Sequence, residues 1–137
     1  MSRVQLALNV SDMDAAVEFY SKLFGTNPAK RRPGYANFAI TEPPLKLVLF
    51  ENPAATEKLN HLGIEVESSE EVATAIDRLK QANLKVRSQN QTTCCYALQD
   101  KVWIQEPDGD EWEVYTVLED SATFGCDSKT ETVSPCA

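Results

Sequence analysis

Two neighbouring thiols, Cys94 and Cys95, are the most chemically pointed residues in the sequence. Thiolates are soft ligands, and two side by side can hold a single thiophilic atom at two points. A disulfide between sequence neighbours would close a strained small ring. No CxxC spacing marks a closed zinc site. Burial of both as small hydrophobes is the alternative that the residues leave open. Three other side chains are candidate ligands by their placement: Gln5, His61 and Glu113. His61 is the only histidine of the chain, so a triad of two histidines and one carboxylate cannot be built from one copy. Glu113 sits in the apolar run Trp112-Glu113-Val114-Tyr115, where a buried carboxylate needs compensation and a divalent cation would supply it. With Gln5 offering an amide oxygen, the set has three protein ligands and leaves positions open for water, dioxygen or substrate.

The elements that must position these residues follow from periodicity. Arg3 to Val10 alternates, with Val4, Leu6, Leu8 and Val10 on one face and Gln5 on the other. Ser11 or Asp12 caps a helix whose stripe is Met13, Ala16, Val17, Tyr20, Leu23 and Phe24, and Gly25 ends it. Strands are expected near Asn27 to Arg31, Tyr35 to Ile40 and Lys46 to Glu51, with Pro33-Gly34 and Pro43-Pro44 as turns. The charge run Lys30-Arg31-Arg32 reads as a solvated turn. The order then repeats. Asn60 to Val66 is a strand, and Ser68 or Ser69 caps a helix with the stripe Val72, Ala75, Ile76 and Leu79. Strands follow near Leu84 to Ser88, Tyr96 to Glu106 and Glu111 to Leu118, the last two joined by a turn at Pro107 to Asp110.

Both halves thus read β-α-β-β-β. Shifting one onto the other lays Gln5 on His61, Leu6 on Leu62 and Val10 on Val66. Gln5 and His61 then both face away from their helices, and two sheets meeting edge to edge would line one concave surface with them. Aligning Lys46-Leu47-Val48-Leu49 with Trp112-Glu113-Val114-Tyr115 matches Leu47 to Glu113, so the first half offers no carboxylate there. Ser121 to Ala137, with Cys126 and Cys136, has little periodicity and reads as a mobile tail. One geometric condition falls on the thiols. Neighbours in a flat strand point to opposite faces, so Thr92 to Cys95 must be a loop or a bulge if both sulfurs are to grip one atom.

The bulk properties bound the rest. A chain of 137 residues with 42% hydrophobic and 25% charged residues can form one compact core. A net charge of -8 repels phosphate backbones and argues against nucleic acid as a partner. The strand pattern begins at Arg3 and no apolar run approaches membrane-spanning length, so the expectation is a soluble cytoplasmic protein with reduced thiols.

The repeat, the Asn60-His61-Leu62-Gly63 strand and the Pro107-Asp108-Gly109 turn ahead of Glu113 resemble the glyoxalase, extradiol dioxygenase and bleomycin-resistance superfamily over residues 3 to 118. The resemblance implies an α+β, vicinal-oxygen-chelate fold: two βαβββ modules, near 3–51 and 59–118, forming curved mixed sheets around a metal-binding cavity in one domain over residues 1–120. It places metal ligands at Gln5, His61 and Glu113, with His61 and Glu113 at the catalytic centre. Many members carry histidine where this chain has Gln5.

The stretches Thr92 to Trp103 and Lys30 to Phe38 look more narrowly like the non-haem iron carbon–arsenic lyases and the related cadmium-induced proteins. That likeness implies Fe(II)- and dioxygen-dependent cleavage of trivalent organoarsenicals, such as methylarsenite and aromatic arsenicals, to arsenite. Cys94 and Cys95 would hold the arsenic. Other divalent metals can stand in for iron in a purified sample. The alternatives are a thiol-based arsenic- or cadmium-binding protein without catalysis, and another superfamily enzyme such as a dioxygenase, glyoxalase or thiol transferase. Pairing of the halves within one chain or across a homodimer is open to the sequence.

Overall fold

A computed structural model describes residues 2–121 of the chain, and these form mixed α and β structure. The expected tail, with Cys126 and Cys136, lies outside the described residues beyond Ser121. The chain divides into two compact units, one over Arg3–Leu62 and one running on from Gly63. No helix among the described residues is long and apolar enough to cross a membrane.

The first unit contains β1 (Arg3–Val10), α1 (Met13–Phe24), β2 (Lys30–Arg32), β3 (Tyr35–Ile40) and β4 (Leu45–Glu51), and ends in the first half of β5 (Leu59–Glu65). Its strands lie in the order β2-β3-β4-β1, with β5 next to β1. β1 and β4 are parallel, Leu6 opposite Leu47 and Gln5 opposite Lys46, while β3 and β4 are antiparallel. Asp12 caps α1 by accepting from the Ala15 N–H at 3.2 Å, and Gly25 ends it in the left-handed region at φ 69°. Leu8, Val10, Met13, Val17, Phe38, Leu47 and Leu49 form the core under this helix, so the expected apolar face of β1 does pack on α1. Leu23 departs from its expected place in the stripe and is 58% exposed.

The second unit carries the end of β5, then α2 (Ser69–Gln81), β6 (Arg87–Cys94), β7 (Ala97–Gln105) and β8 (Glu111–Asp120). The order β5-β8-β7-β6 repeats that of the first unit. The expected β-α-β-β-β order is therefore present twice. Ser68 caps α2 by accepting from the Glu71 N–H at 3.2 Å. Val72 and Ala75 pack on Val102 and Val114.

Three local expectations are corrected. Lys30 to Arg32 is a short strand paired with β3, not a turn, and Arg31 pairs with Asp14. The strand placed at Leu84 to Ser88 starts at Arg87 and continues to Cys94. Leu47 is not the counterpart of Glu113. It belongs to the core under α1, whereas Glu113 faces away from the apolar cluster that holds its neighbour Val114. Alternation in a strand has a period of two residues, so a one-residue slip in aligning β4 with β8 moved the comparison to the wrong face. The face of β4 that corresponds to Glu113 carries Lys46, Val48 and Phe50, so no carboxylate stands there either.

Candidate functional site

In the first unit Gln5 and His61 are both buried and come together, with Gln5 Nε2 3.1 Å from His61 Nε2. The other ring nitrogen, His61 Nδ1, lies 2.9 Å from Asn60 Oδ1. An imidazole held on one side by a polar partner presents its second nitrogen in a fixed direction, as metal-ligating histidines require. The amide of Gln5 can turn its oxygen into that direction in place of its nitrogen.

Glu113 lies in the second unit, and a feature that the sequence did not announce stands beside it. Lys101, 1% exposed, brings Nζ to 2.8 Å from Glu113 Oε1. The same ammonium lies 5.3 Å from the centroid of the Trp103 ring and 5.8 Å from that of Tyr115, within cation–π range. Burial alone would favour the neutral amine. The charge of the Glu113 carboxylate and its hydrogen bond outweigh it and raise the Lys101 pKa above its ordinary value. The compensation expected from a cation for Glu113 is thus supplied by this chain's own lysine. Strand alternation explains the grouping: Gln99, Lys101 and Trp103 share one face of β7, and Tyr115 and Glu113 oppose Lys101 and Trp103 on β8. Alternation of Gln99, Lys101 and Trp103 was the available signal, but a lysine in a strand is ordinarily assigned to the wet side.

The thiols meet through an unusual turn. Cys94 ends β6 opposite Ala97, and Cys95 and Tyr96 make the two-residue loop between them, at φ 54° and 64°. Two successive left-handed residues define a type I′ hairpin, ordinarily built from Asn and Gly. Side chains with a Cβ resist this by about 1–2 kcal/mol each. Gln99 Nε2 donates to the Cys94 carbonyl at 2.8 Å, and Ser121 N–H donates to the Tyr96 carbonyl at 2.9 Å, which hold the turn closed. The sulfurs of Cys94 and Cys95 are consequently 3.8 Å apart. Further back, β6 breaks register between Gln89 and Thr92, with Gln91 at φ 49°. The expected loop or bulge over Thr92 to Cys95 is thus corrected: the register shift lies ahead of it, Thr92, Thr93 and Cys94 stay paired with Gln99, Leu98 and Ala97, and Cys95 leaves the ladder with Tyr96 for the turn. Burial, the sulfur of Cys94 and its charge raise the Cys95 pKa well above the ordinary thiol value, while Lys101 pulls it down.

The donor types are an imidazole nitrogen, an amide oxygen and a carboxylate, which suit a divalent transition metal of intermediate hardness. Among the described residues no three His, Cys, Asp or Glu side chains cluster as a ready-made metal centre. The expected set contains an amide, so it supplies two ligands of those types.

The βαβββ order occurring twice defines the class, and the comparisons agree. The Glyoxalase/Bleomycin resistance protein/Dioxygenase superfamily model matches residues 3–114, and the chain belongs to that superfamily. Within it, the chain is 63% identical over 125 residues to the cadmium-induced protein CadI of Mycobacterium tuberculosis, covering 91% of this chain and 82% of that one. It is 60% identical over 125 residues to the trivalent organoarsenical cleaving enzyme of Thermomonospora curvata, covering 90% and 83% respectively. The Mn(II)-bound glyoxalase of Novosphingobium aromaticivorans shares the fold at a TM-score of 0.62 and 22% identity, over 90% of this chain and 42% of that one.

Proposed function

We propose that this protein cleaves the carbon–arsenic bond of trivalent organoarsenicals, methylarsenite and aromatic arsenicals among them, and releases inorganic arsenite. The observation that carries the reading is the dithiol: two sulfurs 3.8 Å apart on a turn whose backbone is costly for non-glycine residues. The 60% identity to a trivalent organoarsenical cleaving enzyme supports it from outside the structure.

Each thiol displaces one oxygen ligand of the arsenical. Two S–As bonds form, two As–O bonds break, and each thiol proton leaves with its hydroxide as water. No thiolate need accumulate beforehand, which suits a thiol whose pKa is raised. Held at two points, the arsenic has its organic group oriented, which lowers the entropy lost on the way to reaction. Gln5, His61 and Glu113 would hold Fe(II), with His61 and Glu113 closest to the chemistry. Fe(II), when bound, would supply the dioxygen reactivity that these side chains lack, with dioxygen as the net oxidant and the organic group leaving as an oxidised carbon fragment. Lys101 is the resident ion-pair partner of Glu113 and holds its carboxylate in place. A reducing compartment keeps the pair as thiols, so this reading puts the working protein in the cytoplasm.

The test is release of arsenite from methylarsenite by the Fe(II)-loaded protein in air. Expected are loss of release without dioxygen, and loss of release in Cys94→Ser and Cys95→Ser with metal content unchanged. Full activity in both cysteine variants would sink the arsenic assignment. The 63% identity to a cadmium-induced protein favours a second reading, in which the dithiol sequesters a soft ion and no bond is cut. Stoichiometric arsenical binding with no arsenite formed in air would establish that reading instead.

A further inference from the structure

A run of side-chain amides extends from His61 to the loop ahead of β5. Asn9 Nδ2 donates to the backbone carbonyl of Glu57 at 3.1 Å. Asn60 Nδ2 donates to Asn9 Oδ1 at 2.9 Å. His61 Nδ1 lies 2.9 Å from Asn60 Oδ1, and Gln5 Nε2 lies 3.1 Å from His61 Nε2.

The direction of every bond in this run is set at one end. A peptide carbonyl only accepts, so Asn9 must turn its nitrogen to Glu57 and its oxygen to Asn60. Asn60 must then present nitrogen to Asn9 and oxygen to His61. Facing an oxygen that can only accept, Nδ1 must carry the ring hydrogen. Nε2 of the neutral imidazole is left as a lone pair, and the Gln5 amide donates to it. A backbone carbonyl thereby selects the histidine tautomer through two asparagines.

We propose that Asn60, backed by Asn9, is the positioning residue that fixes His61 as the Nδ1–H tautomer and thereby makes Nε2 the lone-pair nitrogen that a divalent metal would require. The consequence for metal affinity rests on His61 being a ligand, as proposed above; the tautomer does not. Because ligand histidines are oriented by the partner of their second nitrogen, loss of such a partner weakens metal binding by about 10–100-fold.

His61 is the only histidine in the full chain, so its ring nitrogens can be observed without assignment ambiguity. Long-range proton–nitrogen NMR spectra of the metal-free, full-length protein at about pH 8, above the ordinary imidazole range, are expected to show Nδ1–H. Asn60→Leu removes acceptor and donor, and the spectrum should move to a tautomer mixture. Asn60→Asp keeps the acceptor facing Nδ1 and should preserve the wild-type signature. Titrations with Co(II) alone should show Asn60→Leu weakened about 10–100-fold and Asn60→Asp within a few-fold of wild type. Nε2–H in the wild-type protein, or an unchanged spectrum and unchanged Co(II) affinity in Asn60→Leu, overturns the proposal. Equal Co(II) affinity in wild type and His61→Ala would overturn the metal-ligand reading instead, and the tautomer would still decide the relay.

Discussion

In the first unit the β2–β3 hairpin turns on Pro33 and Gly34, between the paired residues Arg32 and Tyr35. In the second the corresponding β6–β7 hairpin turns on Cys95 and Tyr96, between Cys94 and Ala97. Gly34 takes φ 71° at no steric cost, whereas Cys95 and Tyr96 take similar angles against their own Cβ atoms. One position in a repeated fold is thus made with residues that suit it, and once with residues that do not. The unfavourable version is the one that brings two sulfurs within 3.8 Å. The inner faces differ in the same sense. In the first unit three amides and an imidazole form a hydrogen-bonded run, and the cation of that face, Lys46 opposite Gln5, is only half-buried. The second buries an ammonium, a carboxylate and thiols together, where each charge depends on its neighbour.

The sharpest way to break this contrast is to remove charge from the second unit and an amide from the first. Lys101→Met leaves Glu113 buried without its cation and should cost about 3–5 kcal/mol in urea denaturation, much of it regained in Lys101→Met/Glu113→Gln. Gln5→Leu should cost only about 1–3 kcal/mol. Equal losses would show that the two faces do not differ as described. Next in size is the clamp: Cys94→Ser or Cys95→Ser should weaken phenylarsine oxide binding on the order of a hundredfold or more, because the second sulfur binds intramolecularly. A change under tenfold in calorimetric titration would mean that one sulfur suffices.

The hairpins provide a finer pair of tests. Gly34→Ala places a Cβ in the left-handed region with open space around it, and thermal melting should show a loss of about 1 kcal/mol from backbone strain alone. Tyr96→Gly relieves the same strain in the other unit and should recover up to about 1 kcal/mol of backbone energy, while loosening the sulfur spacing and weakening arsenical binding.

The smallest effect is one of pH. Burial keeps Cys95 protonated in the fold, whereas an unfolded thiol ionises near about 8.5. Above that pH the folded state binds more protons than the unfolded one, so stability should decline as pH rises. Cys95→Ser should flatten the decline measured by melting. Alkylation of native Cys95 by iodoacetamide should likewise lag behind that of a free thiol at neutral pH.

The sequence by itself determined the repeated β-α-β-β-β order and the helix caps, because both are local. Alternation marks a strand, and Asp12, Ser68 and Gly25 satisfy helix ends from within a few residues. It also singled out Gln5, His61, Glu113 and the cysteine pair as the residues with ligand chemistry. Tertiary structure alone decided that Lys101 neutralises Glu113, since two strands had to be set in register before a residue otherwise assigned to solvent became the partner of a buried carboxylate. It decided that Leu47 faces the helix, because the face follows from which residue of β1 stands opposite. It also decided that Cys95 turns out of the ladder: no Asn-Gly signal marks a type I′ turn, and the hydrogen bonds that enforce it come from Gln99 and Ser121. Local pattern fixes what an element is and which residues share its face, whereas the partner of a buried charge and the closure of a strained turn are set only once strands stand in register.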